Sequence, residues 1–267
     1  MHSLFFILHF SIIFHYLCRM ISKNRQKWVR SLAMKKYRQR EGVFVAEGRK
    51  LVADLTAAGF ECVWKAEVGQ DDGQGGLVTE DDLRRISQVE TPQGILAVFR
   101  QPQTSPDFSA PEHELCLALD DVQNPGNLGT IVRLADWFGI EHIFCSQGCA
   151  DLYNPKTVQA TMGALAHVQV HEVDLPAFLE TLRQKENIPV YGTFLDGDDL
   201  YQTELGNADC GVIVMGNEGN GISNAVEKWV SHRLLIPNYP LGRPTTESLN
   251  VAVATAIVCA EFRRRGA

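Results

Sequence analysis

CGVIVMGNEGNGIS, residues 210–223, is an apolar strand pattern that runs directly into a glycine-rich loop. The side chains up to Met215 are nearly all apolar, which is typical of a strand covered on both faces of a parallel sheet. Gly216, Gly219 and Gly221 then allow a backbone to approach a ligand closely. Their spacing is neither that of a GxGxxG loop nor that of a P-loop, so the sequence disfavours NAD and ATP. Alone, the loop is equally consistent with a structural turn.

Two further stretches combine turn residues with polar side chains after an apolar strand pattern. In LDDVQNPGNLGTIVRLADWFG (119–139), the NPGN turn predicts a helix start with Asn127 as N-cap, and Arg133 follows on that helix. In IPNYPLGRPTTESLNVAVATAI (236–257), a proline-rich loop leads into an apolar helix rich in small residues. Singly, the first is also typical of a capped helix with a surface arginine, and the second of a loop before a core helix.

Strand and helix patterns alternate along the chain, which predicts an α/β protein with a mostly parallel sheet. A basic helical pattern runs from Ser22 to about Arg40, and alternating elements continue to residue 100. Residues 101–113 contain three prolines and few apolar side chains, so they are predicted to be a linker. Residues 20–100 and 114–267 are therefore expected to form separate domains.

Charge is distributed unevenly along the chain. The 267 residues have a net charge of −7, which disfavours a general affinity for nucleic acid. Residues 19–50 nevertheless carry eleven Lys and Arg against two Glu, whereas residues 51–267 carry fourteen basic and thirty acidic side chains. A local basic patch is enough to attract phosphates, so this segment predicts nucleic-acid contacts; a solvated helix face is the alternative.

The first eighteen residues, MHSLFFILHFSIIFHYLC, are apolar and contain no Lys or Arg. A secretory signal has positive charge before its apolar stretch and small residues after it, and both are missing here. The run from Leu4 to Cys18 is also shorter than the ~20 residues that span a bilayer. We therefore expect Met20 to be the physiological start and residues 1–19 to be a non-native extension; a membrane-associating segment is the alternative.

The cysteines indicate a reducing compartment rather than a disulfide scaffold. Seven cysteines are scattered through the chain, and no CxxC pair suggests a zinc ribbon. The sequence therefore predicts a cytoplasmic protein with no metal site and no membrane partner.

Together, the three clusters form a far more specific pattern than any one of them. NxGNxGxxxRxAxxFG, GNEGxGIS and IP…SLNVAVA, in this order at the ends of strands, resemble the three motifs of the SpoU/TrmH-type RNA 2′-O-ribose methyltransferases of the SPOUT superfamily. The resemblance covers residues 115–265. Residues 20–100 resemble, more loosely, the ribosomal-protein-like RNA-binding domain that often precedes the catalytic domain in this family.

The resemblance implies a parallel-sheet SPOUT domain with a trefoil knot, which general rules of chain connectivity would not predict. It implies a homodimer that binds S-adenosylmethionine and transfers the methyl group to a ribose 2′-hydroxyl of RNA. The N-terminal domain favours ribosomal RNA over tRNA, and DNA is excluded because it lacks the 2′-hydroxyl.

By position, the resemblance assigns two groups of residues. The polar active-site positions are Asn127, Arg133, Glu218, Ser248 and Asn250. The cofactor-binding positions are Thr193, Leu195, Gly216, Asn217, Gly221, Ile236 and Leu249. The loop of residues 237–247 is several residues longer than in shorter family members, so its contacts do not carry over by position.

The resemblance places Arg133, from the partner subunit, beside the attacking hydroxyl. Because a guanidinium stays protonated in proteins, we expect Arg133 to clamp an RNA phosphate and stabilise the developing alkoxide rather than act as a base. Glu218 or a substrate phosphate would then accept the proton. Two other functions stay open: a non-catalytic RNA-binding paralogue, and a SPOUT enzyme that methylates a base of rRNA or tRNA.

Overall fold

The computed structural model describes residues 21–71, 77–185, 188–206, 208–240, 243 and 248–266. The expectation for residues 1–19 lies outside these described residues. The chain divides into two compact units: the first runs up to Pro102 and includes Tyr153–Gln159, and the second comprises Gln103–Leu152 and the chain from Ala160 onward. The domain limits predicted from composition stay a prediction.

Up to Pro102, the described residues of the first unit form a three-stranded antiparallel sheet and four helices. Its elements are α1 (Lys23–Ser31), α2 (Lys35–Glu41), β1 (Val43–Glu47), α3 (Arg49–Ala57), β2 (Cys62–Glu67), α4 (Glu80–Ile86) and β3 (Ile95–Arg100). The prediction of a mostly parallel sheet is wrong for this unit. β1 and β2 do run in the same direction, but β3 lies between them and pairs antiparallel with both.

The basic segment of the first unit forms two helices rather than the single one predicted. α1 ends at Ser31, and α2 begins at Lys35. Arg38 of α2 is only 1% exposed and donates from Nη1 to the carbonyl oxygens of Leu32 (2.7 Å) and Ala33 (2.8 Å). Carbonyl groups just beyond a helix end lack helical partners, and here a buried cation satisfies them. Arg38 therefore stabilises the fold, although the sequence counts it among the basic residues expected to contact nucleic acid.

The second unit is a six-stranded parallel sheet. From residue 103 onward the elements are β4 (Leu115–Leu119), α5 (Pro125–Trp137), β5 (His142–Cys145), α6 (Pro155–Thr161), β6 (Gln169–Glu172), α7 (Leu175–Arg183), β7 (Val190–Asp199), β8 (Gly211–Met215), α8 (Asn224–Glu227), β9 (His232–Leu235) and α9 (Val251–Gly266), with short 3₁₀ turns at Ala110–Glu112 and Ala164–Ala166. Of these, α6 belongs to the first unit as far as Gln159. The strand order is β6-β5-β4-β8-β7-β9, and all neighbours are parallel. The parallel α/β sheet predicted for this region is confirmed, whereas the trefoil knot stays a prediction.

Both faces of this sheet are covered, as the continuous apolar strands predict. Leu115, Leu117 and Leu119 of β4 belong to a core cluster that includes residues of α5 and α9. Cys116 and Ala118 of the same strand face the opposite way, into a second cluster with α7 and α8. This alternation along one strand produces a helix–sheet–helix arrangement with two cores.

One helix limit in the second unit differs from the prediction: α5 begins at Pro125, within the NPGN turn, instead of directly after Asn127. Within the described ranges, none of the helices is long and apolar enough to cross a membrane.

Replacing Arg38 by methionine should destabilise the first unit by about 2 kcal/mol or more, because buried carbonyl groups that lose their donors cost roughly 1–3 kcal/mol each. Urea denaturation followed by circular dichroism measures the change. Arg40→Met is the matched control, because Arg40 lies on the same helix but is exposed, and it should change the unfolding free energy by less than about 0.5 kcal/mol. Equal effects of the two substitutions would contradict a structural role for Arg38.

Candidate active site

The loops after β4 and β8 follow neighbouring parallel strands, so they lie side by side at the carboxyl edge of the sheet. The chain moves outward from β4 through β5 to β6 and then returns to the other side of β4, so the strand order reverses between β4 and β8. Ligands of open α/β sheets bind at such a reversal. The fold therefore places the candidate site at these two loops.

The loop after β8 is a tight turn that closes on Gly216. Asn217 and Gly221 exchange two backbone hydrogen bonds, with N···O distances of 2.9 and 3.0 Å. A Cβ atom on Gly216 would lie 2.3 Å from the carbonyl carbon of Gly221 and 2.4 Å from the nitrogen of Ile222. The sequence predicts that Gly216 admits a ligand, but its close neighbour is the backbone of its own loop. Gly221 has a φ of +69°, which favours glycine.

The side chain of Asn217 links the two loops. Its Oδ1 accepts hydrogen bonds from the backbone nitrogens of Gly219 (2.8 Å) and Asn220 (2.9 Å). Its Nδ2 donates to the backbone oxygen of Asp121 in the β4 loop, at 2.8 Å. This predicted cofactor-binding residue is therefore engaged within the protein through its side chain, and its backbone N–H is already bonded to Gly221.

Two acidic residues directly after β4 organise the site, and neither is among the residues predicted from sequence. Asp120 is buried and accepts a hydrogen bond from the backbone nitrogen of Ser223, at 2.7 Å. Asp121 has a φ of 60°, and its backbone nitrogen donates to Ser146 Oγ at 2.9 Å. A Cβ on Gly148 would lie 2.1 Å from Asp121 Oδ1. The available sequence signal is the pair of carboxylates at the end of an apolar strand.

The N-cap of α5 is Asn124, so the prediction that Asn127 caps this helix is wrong. Asn124 Oδ1 accepts from the backbone nitrogens of Gly126 (2.8 Å) and Asn127 (3.2 Å). Proline suits the first helical position, because it has no N–H and its φ is already helical. Pro125 therefore opens the helix, and the residue before it becomes the cap. The side chain of Asn127 remains available for other contacts.

Asn127, Glu218 and Asn250 form a hydrogen-bonded chain that joins the first turn of α5, the loop after β8 and the residue before α9. Asn127 Nδ2 donates to Glu218 Oε1 at 2.7 Å, and Asn250 Nδ2 donates to Asn127 Oδ1 at 3.1 Å. Asn250 Oδ1 accepts from the backbone nitrogens of Ala252 and Val253 at the start of α9. The structure thus brings together three of the five predicted catalytic residues.

The other two predicted catalytic residues, Arg133 and Ser248, are exposed. Neither side chain has a hydrogen-bond or ion-pair partner among the described residues. Arg133 lies on α5, the helix whose first turn carries Asn127. The charge of Arg133 is therefore available to a group that is not among the described residues.

The remaining predicted cofactor residues lie within β7 beside the carboxyl end of β8, directly after β9, and before α9. Thr193 Oγ1 contacts Met215 Sδ at 4.0 Å, which joins the ends of β7 and β8. Ile236 packs against the main core cluster. Leu195 and Leu249 are 74% and 48% exposed. Exposed large apolar side chains beside backbone-rich loops suit a ligand with an aromatic or apolar part.

Comparisons with known proteins match both parts of the chain. Residues 114–260 match the family described as the SpoU rRNA methylase family, and residues 23–97 match the MRM3-like substrate binding domain. The Bacillus subtilis 23S rRNA (guanosine(2553)-2′-O)-methyltransferase RlmP is 34% identical over 251 residues, which cover 91% of this chain and 97% of RlmP.

Two solved structures are similar over nearly the whole chain. A TrmH-family protein from Porphyromonas gingivalis is 43% identical with a TM-score of 0.81, covering 92% of this chain and 99% of its own. An AdoMet-bound rRNA methyltransferase from Sinorhizobium meliloti is 29% identical with a TM-score of 0.80, covering 92% of this chain and 97% of its own.

Gly216→Ala should destabilise the second unit by roughly 1–3 kcal/mol, because the new methyl group would overlap the backbone of residues 221 and 222. Thermal and urea unfolding measure the effect. Gly219→Ala is the matched control in the same loop: a Cβ there meets only Asn217 Oδ1, at 3.6 Å, and should cost less than about 0.5 kcal/mol. If both variants were equally stable, the loop would not close on Gly216.

Proposed function

The chain belongs to the SpoU rRNA methylase family, and from this premise we propose that it transfers a methyl group from S-adenosylmethionine to a ribose 2′-hydroxyl of ribosomal RNA. The family predicted from the three sequence motifs is confirmed. The observation that carries the proposal is the chain of hydrogen bonds through Asn127, Glu218 and Asn250, which joins one residue from each motif. RlmP, whose name states 2′-O-methylation of a 23S rRNA guanosine, is similar over nearly its whole length.

S-adenosylmethionine is the methyl donor and, when bound, supplies an electrophilic methyl group. The carboxyl edge of the sheet fits it, because exposed leucines can cover an aromatic base and tight loops present backbone groups to polar atoms. Asn217 would contribute through its backbone carbonyl oxygen, which can accept a second hydrogen bond, since its side chain and backbone N–H are engaged with other residues. The residues proposed to line the pocket are Thr193, Leu195, Gly216, Asn217, Gly221, Ile236 and Leu249.

The attacking 2′-hydroxyl must lose its proton as the oxygen–carbon bond forms. Glu218 is a half-buried carboxylate, and Asn127 holds one of its oxygens at 2.7 Å. The other carboxylate oxygen has no hydrogen bond from a described residue. We assign Glu218 as the proton acceptor, with Asn127 and Asn250 orienting it.

Arg133 is proposed to bind the RNA rather than the cofactor. A guanidinium cannot serve as a base at neutral pH, but it can hold a phosphate with two hydrogen bonds and stabilise developing negative charge. Its exposure, and the lack of a partner among the described residues, support a role toward a group that the isolated chain does not supply. Ser248 is likewise exposed and is proposed to contact the substrate.

The first unit is proposed to supply phosphate contacts through α1 and the start of α2. Several cations of the basic segment are already paired, such as Arg49 with Glu67 and Lys50 with Asp54. Among the described cations of the basic segment, the exposed ones without a carboxylate partner number five: Lys23, Lys27, Arg30, Lys35 and Lys36. Arg25 lies over the ring of Trp28, at 4.9 Å from its centroid, next to these cations.

A homodimer in the cytoplasm is the proposed working form. α5 and α9 pack against each other and leave two large apolar side chains in solvent: Trp137 is 82% exposed, and Val253 is half exposed. Burying such side chains favours association with a second copy. A dimer would also bring Arg133 of one copy to the site of the other, as the family resemblance implies.

The proposed function is tested by incubating the protein with methyl-labelled S-adenosylmethionine and ribosomal RNA. The label should reside in a ribose whose 3′ phosphodiester resists alkali; a label on a base, or none, would contradict the proposal.

Arg133→Ala should lower turnover by about 10²–10³-fold, because one donor to a developing oxyanion is lost. Its affinity for S-adenosylmethionine should remain unchanged by calorimetry.

Arg133→Lys should restore only part of this loss, since an ammonium group cannot make the bidentate contact. The control is Arg183→Ala, which removes an exposed arginine on α7 and should retain full turnover.

Mixing Arg133→Ala with Leu195→Arg, a change in the proposed cofactor pocket, tests which subunit Arg133 serves. After subunit exchange confirmed by tagged pull-down, the mixture should regain activity if Arg133 serves the partner's site. Exchange without recovered activity would assign Arg133 to its own chain.

Neutralising unpaired cations of α1 should weaken RNA binding in a salt-dependent way. Lys23→Gln with Lys27→Gln should reduce the slope of log affinity against log salt by roughly 1–2, because each phosphate contact contributes about 0.7–0.9. Filter binding over a range of KCl concentrations measures this slope. Arg49→Gln with Lys50→Gln removes the same charge from ion-paired positions and should change the slope less. An equal change in both double variants would refute a specific role for α1.

A further inference from the structure

β7 leaves and rejoins its neighbour β9 at the carboxyl edge of the sheet. Thr193 is paired with Leu234 of β9, and Asp198 is paired with the same residue. Residues 194–197 therefore form a bulge between these two pairings. The bulge carries Leu195, which is proposed above to line the cofactor pocket, so the geometry of this segment decides where that side chain lies.

One guanidinium, that of Arg233 on β9, holds the bulge at two points. Its carbon lies 3.7 Å from the centroid of the Phe194 ring, and its Nη2 donates to Asp196 Oδ1 at 2.5 Å. Its Nη1 donates to Glu227 of α8, which anchors the guanidinium on a second element. The same cation thus contacts the residues on either side of Leu195.

The bulge packs closely against the backbone of β9 at Gly197, which restricts its conformation. A Cβ on Gly197 would lie 2.7 Å from the carbonyl carbon of Leu234 and 2.9 Å from that of Arg233. In extended chain, successive side chains point to opposite sides. Phe194 and Asp196 are both held on Arg233, and Leu195 between them is exposed.

We propose that Arg233 is a positioning residue for the cofactor: by holding Phe194 and Asp196, it presents Leu195 to the nucleoside part of S-adenosylmethionine. This inference rests on the proposed function, in which Leu195 lines the cofactor pocket. The Arg233 ion pairs reach solvent, that with Glu227 being half-buried, and such pairs, like a single cation–π contact, contribute little to global stability. The effect of losing Arg233 is therefore expected in cofactor affinity and not in folding.

Arg233→Met keeps the apolar stem but removes the cation. It should raise the Kd and the KM for S-adenosylmethionine by about tenfold, the usual size of coupling between contacting groups. kcat at saturating cofactor should stay within about twofold, because the reacting groups are untouched. Arg233→Lys should recover part of the affinity, since it restores charge toward Asp196 but not the planar stack on Phe194. Calorimetry and initial-rate kinetics give these values, and thermal unfolding verifies the fold.

The matched control is Arg84→Met, which removes an exposed arginine that is ion-paired to Glu80 and Asp81 on α4 of the first unit. It should leave the Kd unchanged. Leu195→Ala alone should weaken binding by a similar factor, and adding Arg233→Met to it should weaken binding no further. Wild-type affinity in Arg233→Met, or losses that multiply in the double variant, would overturn the positioning role. Failure of the wild-type protein to bind S-adenosylmethionine would instead overturn the proposed function.

Discussion

The side-chain amide of Asn217 is the interaction on which the candidate site depends. Loops at the end of a parallel sheet have backbone groups without ladder partners, and these groups need hydrogen bonds from elsewhere. Oδ1 of Asn217 satisfies two nitrogens of its own loop, and Nδ2 satisfies the Asp121 carbonyl of the neighbouring loop. An aspartate at this position would place an oxygen against that carbonyl, and a leucine would satisfy none of these groups. Because Glu218 is the next residue, closing this loop also places its carboxylate beside Asn127.

The donor and acceptor roles of two side-chain amides are fixed one after the other, from the start of α9 to the Glu218 carboxylate. The first backbone nitrogens of α9 use Asn250 Oδ1, so only Asn250 Nδ2 is left to face Asn127. Asn127 must accept with Oδ1 and therefore presents Nδ2 to Glu218. The orientation of the Asn250 amide determines that of the Asn127 amide, and as a result Asn127 Nδ2 donates to the Glu218 carboxylate. The helix N-terminus thus orients a carboxylate two side chains away, through groups whose roles cannot be exchanged without breaking a bond.

Much of the second unit could be predicted from the sequence, because buried parallel strands appear as uninterrupted apolar runs and the motif residues follow them directly. The errors arise where local patterns allow two structures. Asn124 and Asn127 are both capping residues, and the choice between them depends on Pro125 taking the first helical position. In the first unit, strand–helix alternation cannot reveal that β3 is inserted between β1 and β2. Asp121 was missed because its role depends on a left-handed φ and on space beside Gly148, which exist only in the folded loops.

The charge distribution favours selectivity over strong binding. The basic segment has eleven cations in sequence, but Arg38 is buried against carbonyl groups and others are paired with carboxylates. Five phosphate contacts from the unpaired cations of α1 and α2 would give a salt slope of only about −4, which is small for a protein that binds RNA by charge alone. The remainder of the chain carries thirty acidic side chains and repels phosphates that approach elsewhere. An RNA is therefore held well only when its phosphates meet these few cations, so the shape of the RNA has to supply the discrimination that bulk charge does not.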